Sequence, residues 1–152
     1  MGGDNAPYAP VLGALLYDRE TKGRDQIILV GDQELIQKEL ARHRLMTPYN
    51  IEVVHASEVI DMHEQPTLAV RRKKDSSMVK GLRMHKNNEA DAFVSAGSTG
   101  AQMAASLLIL GRVKGVLRPA LGALLPWEEG VVLLIDVGAN SDCKPIHLLQ
   151  FG

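Results

Sequence analysis

Four short apolar runs constrain this chain more than anything else in it: "QIILVG" (26–31), "IEVVHA" (51–56), "DAFVSAG" (91–97) and "VVLLIDVGAN" (131–140). Each is too short for a core helix, and each is followed by a stretch with helical signals. Continuous apolar runs of this length suit strands buried on both faces. Strands alternating with helices imply a parallel α/β sheet.

The helical stretches carry their own start and stop signals. Asp4 or Asn5 can cap a helix with Pro7 in its first turn, running to about Tyr17. Asp32 caps a second, with Leu35, Ile36 and Leu40 on one face. "DSSMVKGLRMHK" (75–86) reads as a capped helix with Met78, Val79 and Leu82 inward. Thr99 to Leu110 forms another, stopped by Gly111, and Pro145 starts the last. Aromatic residues are only 4% of the chain, so the core must be aliphatic, with Met46, Met62, Met84 and Met103 as packing residues. One domain is the default for 152 residues. The ends, "MGGD" with no strand before it and an apolar helix that stops at Gly152, suggest a piece cut from a larger fold.

Charge and cysteine content narrow the function classes. A net charge of −1 argues against nucleic-acid binding by bulk charge. The single Cys143 excludes an internal disulfide, fits a reducing cytoplasm and reads as a buried structural residue. The longest apolar runs fall well short of the ~20 residues of a membrane-spanning helix. His55, Asp61, His63 and Glu64 lack a metal-ligand spacing and suit surface or capping roles; His147 suits either the ligand edge or the core.

Ligands of parallel α/β sheets sit beyond the carboxyl ends of the strands. Three turns are therefore expected on one edge: Gly31-Asp32, Ala96–Gly100 and Gly138–Asp142. In the second, Gly97 and Gly100 let backbone approach a ligand, Ser98 and Thr99 add hydroxyls, and the helix start offers unpaired N–H groups to an anion. The same turn also reads as a plain helix start, with Thr99 and Gln102 as a capping box. In the third, Asp136, Gly138, Asn140, Asp142 and Lys144 cluster; Lys144 can neutralise an anion, Asn140 can hydrogen-bond an oxygen, and Asp142 can cap the helix at Pro145. A basic run adds a different feature. Seven of the 17 basic residues lie between Arg71 and Lys86: Arg71, Arg72, Lys73, Lys74, Lys80, Arg83 and Lys86. This is either a solvated face or a dock for an acidic partner.

Taken in order, "MGGDNAP", "ILVGD", "HASEVIDMHEQP", "RRKKDSSM", "DAFVSAGSTGA", "LLILGRVKG", "RPAL" and "DVGANSDCKPIHLLQF" resemble the bacterial phosphate acyltransferases of phospholipid synthesis, the PlsX family. The resemblance runs from Met1 to Phe151. Departures are Ser98 where the family usually has Asn, Ser141 for an apolar residue, Leu117 for an acid, the stretch "LGALLPWEEG", and Gly152. The family starts with a short strand leading into "MGGD" and continues beyond "LLQF".

The resemblance implies a three-layer, Rossmann-like parallel α/β sheet, like that of isocitrate and isopropylmalate dehydrogenases, here truncated at both ends. It implies transfer of an acyl group from acyl carrier protein to inorganic phosphate, without a cofactor or metal. It also implies a homodimer in the cytoplasm, peripheral to the membrane, that hands acyl phosphate to a membrane glycerol-phosphate acyltransferase. Phosphate is placed at Gly97, Ser98, Thr99 and Gly100, with Asn140 and Lys144 facing it. Asp4, Asp136, Gly138 and Asp142 lie at the same edge. The carrier docks on Arg71, Arg72, Lys73, Lys74, Lys80 and Arg83. Two other readings stay open: a phosphate acetyl- or butyryltransferase acting on coenzyme A thioesters, and a non-catalytic piece keeping only binding or dimerisation surfaces.

Overall fold

Ile27–Gly31 forms strand β1 and Ile51–His55 forms β2. They pair in parallel, from Ile27 opposite Ile51 to Gly31 opposite His55. The connection carries helix α2 (Gln33–Arg42), started by Asp32, whose carboxylate accepts from the Leu35 N–H at 3.0 Å. This is the strand–helix–strand unit that the sequence implies. The computed structural model describes residues 1–43, 48 and 50–152, so Met46 lies outside the described residues.

Helix α1 (Tyr8–Thr21) starts after Pro7, with no side-chain cap, and extends a turn beyond Tyr17. Asp4 and Asn5 are therefore not its caps. Val11, Leu15 and Asp18 recur at helical spacing and are buried; Val11 and Leu15 join Leu29 and Ile36 in one core cluster. Asp18 accepts from the Asn50 N–H at 3.1 Å, which ties the end of α1 to the entrance of β2. On α2, Ile36 is buried but Leu35 is 51% exposed, correcting its expected inward position. Successive helical residues are rotated by about 100°, and Ile36 with Leu40 already defines the inner stripe.

A second cluster joins helices α3 (Pro66–Arg72), α4 (Ser77–Lys86) and α5 (Thr99–Ile109). Val70, Met78, Val79, Leu82, Ala101 and Ala105 are among its buried members, so the three expected inward residues of α4 are there. Ser76 caps α4 by accepting from the Val79 N–H. Gly111, at φ +85°, follows the end of α5, as a C-terminal glycine should. Met84 and Met103 are half-buried, whereas Met62 is exposed.

Two expected strands need correction. Residues 91–97 form no strand, because no neighbouring strand runs beside them among the described residues. Phe93 anchors the segment instead, its ring against Gly81; a Cβ there would stand 2.4 Å from the Phe93 Cε2. The run 131–140 gives only β4 (Gly130–Ile135), which is antiparallel to β3 (Gly122–Trp127). The cause is local: Glu128-Glu129 closes a two-residue hairpin, so β4 pairs with the segment before it. Val131 to Ile135 are exposed rather than buried.

The chain divides into two compact units, Met1–Leu110 and Gly111–Gly152. The second holds the hairpin and helix α6 (Pro145–Phe151). The fold is α/β, with one two-stranded parallel sheet and one antiparallel pair.

The packing predicts a contrast between two leucines, the buried Leu15 of α1 and the exposed Leu35 of α2. Leu15→Ala should cost about 2–5 kcal/mol of stability, and Leu35→Ala less than about 0.5 kcal/mol. Urea unfolding of the two variants checks this; equal losses would contradict the stripe described for α1 and α2.

Candidate functional site

The first unit brings two of the three expected turns together. Met1–Gly3 threads between the end of β1 and Ala96–Gly97. A Cβ on Gly31 would stand 2.7 Å from the Met1 backbone nitrogen, and one on Gly3 would stand 2.9 Å from the Ala96 oxygen. Gly3 also has φ +113°. Both positions exclude a side chain, so the glycines are what let three backbone segments meet. Asp4 follows directly and is exposed at this edge.

The start of α5 lies next along the chain. Ser98, not Thr99, is its N-cap: the buried Ser98 Oγ accepts from the Ala101 N–H at 3.3 Å. The cap thus lies one residue earlier than the expected box of Thr99 with Gln102, and with Ala101 at the third helical position no box forms there. Ser95 Oγ accepts from the Gly97 N–H at 3.1 Å and shapes the turn. Gly100 packs on Pro66, where an added Cβ would lie 3.1 Å from Cγ. The N–H groups of Thr99 and Gly100 have no partner among the described residues and sit exposed at the positive end of the helix dipole. The Ser98 hydroxyl spends its acceptor on the helix and keeps its proton for another group.

The third turn belongs to the second unit. Asp136 accepts from the N–H groups of Leu121 (2.8 Å), Ala139 (3.3 Å) and Asn140 (2.7 Å) and from the Asn140 side-chain amide (3.0 Å). The Leu121 N–H, chief among these donors, holds the Asp136 carboxyl below its ordinary pKa. Asn140 gives its other amide hydrogen to the Pro119 oxygen at 2.9 Å. Both of its donors are therefore used within the loop, which Gly138 turns at φ +90°. Asp142 does not cap α6. Lys144 holds the N-cap position, and its N–H donates to Nδ1 of buried His147 at 3.1 Å. His147 is thus a core and capping residue. The Lys144 side chain is exposed and unpaired among the described residues. Cys143 is half-buried, with its Sγ 3.7 Å from the Asn140 oxygen.

The basic run divides in two. Lys73 donates to the Val59 oxygen and pairs with Glu64. Lys80 donates to the His55 oxygen at 2.6 Å and pairs with Asp75. Glu64 is held below its usual pKa chiefly by Lys73, and Asp75 well below its own chiefly by Lys80, then by the Ser57 N–H and hydroxyl. These two lysines bolt the loop after β2 to α3 and α4. Arg71, Arg72, Lys74, Arg83 and Lys86 remain exposed. Arg83 reaches the Lys74 oxygen, and it shares one face of α4 with Lys86 at i, i+3. His55 accepts from the Gln33 N–H and Glu64 from the Asp61 N–H, so these residues cap and turn the backbone as expected.

Sequence reasoning missed Ser57 and Ser95. Each acts by a hydrogen bond of its hydroxyl, and an isolated serine carries no pattern that announces it.

A model of the family described as "Fatty acid synthesis protein" matches residues 1–152. The chain belongs to that family. Relatives named "Phosphate acyltransferase" include proteins of Pelotomaculum thermopropionicum, 56% identical over 152 residues, and of Desulforamulus reducens, 54% identical over 151. A third, from Caldicellulosiruptor bescii, is 49% identical over 151 residues. The alignments cover 99–100% of this chain but only 43–45% of those proteins, so the chain spans less than half the length of the curated relatives it matches.

The carboxylates give a pH dependence. Asp75, Glu64 and Asp136 all have lowered folded-state pKa values. Their contribution to stability is complete above the ordinary carboxylate value of about 4 and is lost as pH falls below it toward the lowered values. The Leu121 and Asn140 amide resonances should hold their positions down to about pH 4 and move below it. In Asp136→Asn they should be displaced already at pH 6 and show no such titration.

Proposed function

We propose that the protein takes part in transferring an acyl group from acyl carrier protein to inorganic phosphate, giving acyl phosphate for phospholipid synthesis. Membership of the family, with relatives named for phosphate acyl transfer, is the observation that carries this reading. The chemistry asks little of a side-chain nucleophile. A phosphate oxygen attacks the thioester carbonyl carbon, the carbon–sulfur bond breaks, and the carrier's thiolate leaves and takes up a proton. The protein must orient phosphate and stabilise the oxyanion, for which one well-placed donor is worth roughly 3–4 kcal/mol.

The Thr99 and Gly100 N–H groups and the Ser98 proton suit phosphate, and in the second unit the exposed Lys144 is a cation of the kind this chemistry uses. Asn140 then works by holding Asp136 and the loop that carries Lys144, rather than by donating to substrate. In this reading Asp4 and Gly97 are positioning residues beside the start of α5, and Gly138 and Asp142 are positioning residues of the loop that carries Lys144. The acidic carrier docks on Arg71, Arg72, Lys74 and Arg83, while Lys73 and Lys80 keep that surface in shape. The whole protein would be a cytoplasmic homodimer with a three-layer Rossmann-like core, passing its product to a membrane acyltransferase. Among the described residues no helix is long and apolar enough to cross a membrane.

The span of less than half the relatives' length supports a second reading, a portion that binds without turnover. Acyl phosphate formation, trapped as the hydroxamate, should be measured with acyl–acyl carrier protein and with acyl-coenzyme A. Preference for coenzyme A would replace carrier protein as the donor, and binding without product would select the second reading. Reversal of Arg72 and Arg83 to Glu should raise the carrier's apparent KM or Kd about tenfold and leave phosphate affinity unchanged. An unchanged carrier affinity would exclude this docking surface.

A further inference from the structure

Charge is not the only thing that α3 shows to solvent. The helix buries Ala69 and Val70 and leaves Thr67, Leu68, Arg71 and Arg72 exposed. Leu68 stands three and four residues before the two arginines, so all three share one face. It is 43% exposed. The loop after β2 adds Val59 and Met62, which are open to a similar degree. Lys73 holds that loop to the end of α3, through the Val59 oxygen at 2.7 Å and the Glu64 carboxylate. From α4, Arg83 reaches the Lys74 oxygen at 3.5 Å and brings another guanidinium to the same end. The acids of the loop are engaged within it: Glu64 pairs with Lys73, and Asp61 accepts from the His63 N–H at 2.9 Å.

A lone exposed leucine is ordinary, but apolar side chains rimmed by arginines have the composition of an interface, where methionine and arginine are both enriched. The backbone of α3 is spent on its own helix, so a partner meets it through side chains and cannot add a strand. Its seven residues span about 10 Å, two helical turns. That length and the i, i+3, i+4 spacing of Leu68, Arg71 and Arg72 match an amphipathic helix laid alongside. We propose that Leu68, with Val59 and Met62, is the apolar anchor of this face, and that its occupant is an acidic amphipathic helix supplied by the carrier protein. The occupant sets its apolar stripe on Leu68 and its carboxylates toward Arg71, Arg72 and Arg83. This rests on the carrier protein as acyl donor, but it does not need turnover. It also divides the work of binding. The exposed arginines act at long range and set the rate of encounter, whereas burial of Leu68 sets the lifetime of the complex.

Surface plasmon resonance with acyl carrier protein, at low and at high salt, tests this division. Leu68→Gln keeps a good helix former and removes the apolar contact. It should speed dissociation about tenfold and change association less than about twofold. Leu68→Met, which conserves volume and apolarity, should restore slow dissociation. Arg72→Glu with Arg83→Glu should slow association about tenfold at low salt and lose most of that effect at high salt. Unchanged dissociation in Leu68→Gln, with association still slowed in the arginine variant, makes the face purely electrostatic; the proposal then falls and the carrier remains the donor. Carrier binding that neither variant alters places the dock elsewhere and overturns the proposal too. An unaltered chain that binds no carrier removes the donor reading and the proposal with it. Should Leu68→Gln fail to fold, Met62→Gln on the loop replaces it: faster dissociation supports the proposal, and an unchanged rate overturns it.

Discussion

Three backbones meet in the first unit where no side chain fits between them. Gly31 ends β1 against Met1, Gly3 crosses the Ala96 carbonyl, and Gly2 lies on Gly97. At Gly31 and Gly3 glycine permits contact distances that any Cβ would forbid, and Gly3 also adopts a φ of +113° that favours glycine. The start of α5, with its unpartnered Thr99 and Gly100 N–H groups, is placed by this crossing. So are Met1 to Gly3. The exposed helix start at this edge is therefore placed by packing, not by one motif.

The charged residues show a similar division of labour. Lys73 and Lys80 spend their charge on carboxylates and carbonyls within the fold, and their partners' lowered pKa values report it. Asp136 does the same for the hairpin unit, gathering four donors around one carboxylate. What remains for a partner or substrate is the exposed arginines and Lys74, Lys86 and Lys144. A charge run in sequence counts cations; it does not say which are already engaged.

Legibility followed the range of the interaction. The β1–α2–β2 unit, the Asp32 and Ser76 caps and the inward face of α4 could be read directly, because each depends on residues within one or two turns. "DAFVSAG" has strand composition, but a strand also needs a neighbour, and none runs beside it among the described residues. "VVLLID" looked like a buried parallel strand because apolar runs are silent about pairing partners. The two-residue Glu128-Glu129 turn, which decides the matter, carries none of the glycine or asparagine that usually marks such hairpins. At the site, the kinds of residue were evident and the protons were not: nothing in the sequence shows that Asn140 has spent both amide hydrogens, or that Ser98 rather than Thr99 takes the cap.

The hairpin itself has a colloidal side. Leu124, Trp127, Val131 and Leu133 are each more than half exposed, and their neighbours along both strands are also apolar and open. A two-stranded ribbon that is greasy on both faces, with edges that pair with no further strand among the described residues, attracts other ribbons before it attracts water. In dilute solution that surface sets the concentration at which the chain stays dispersed, and salts that strengthen hydrophobic contact will lower it.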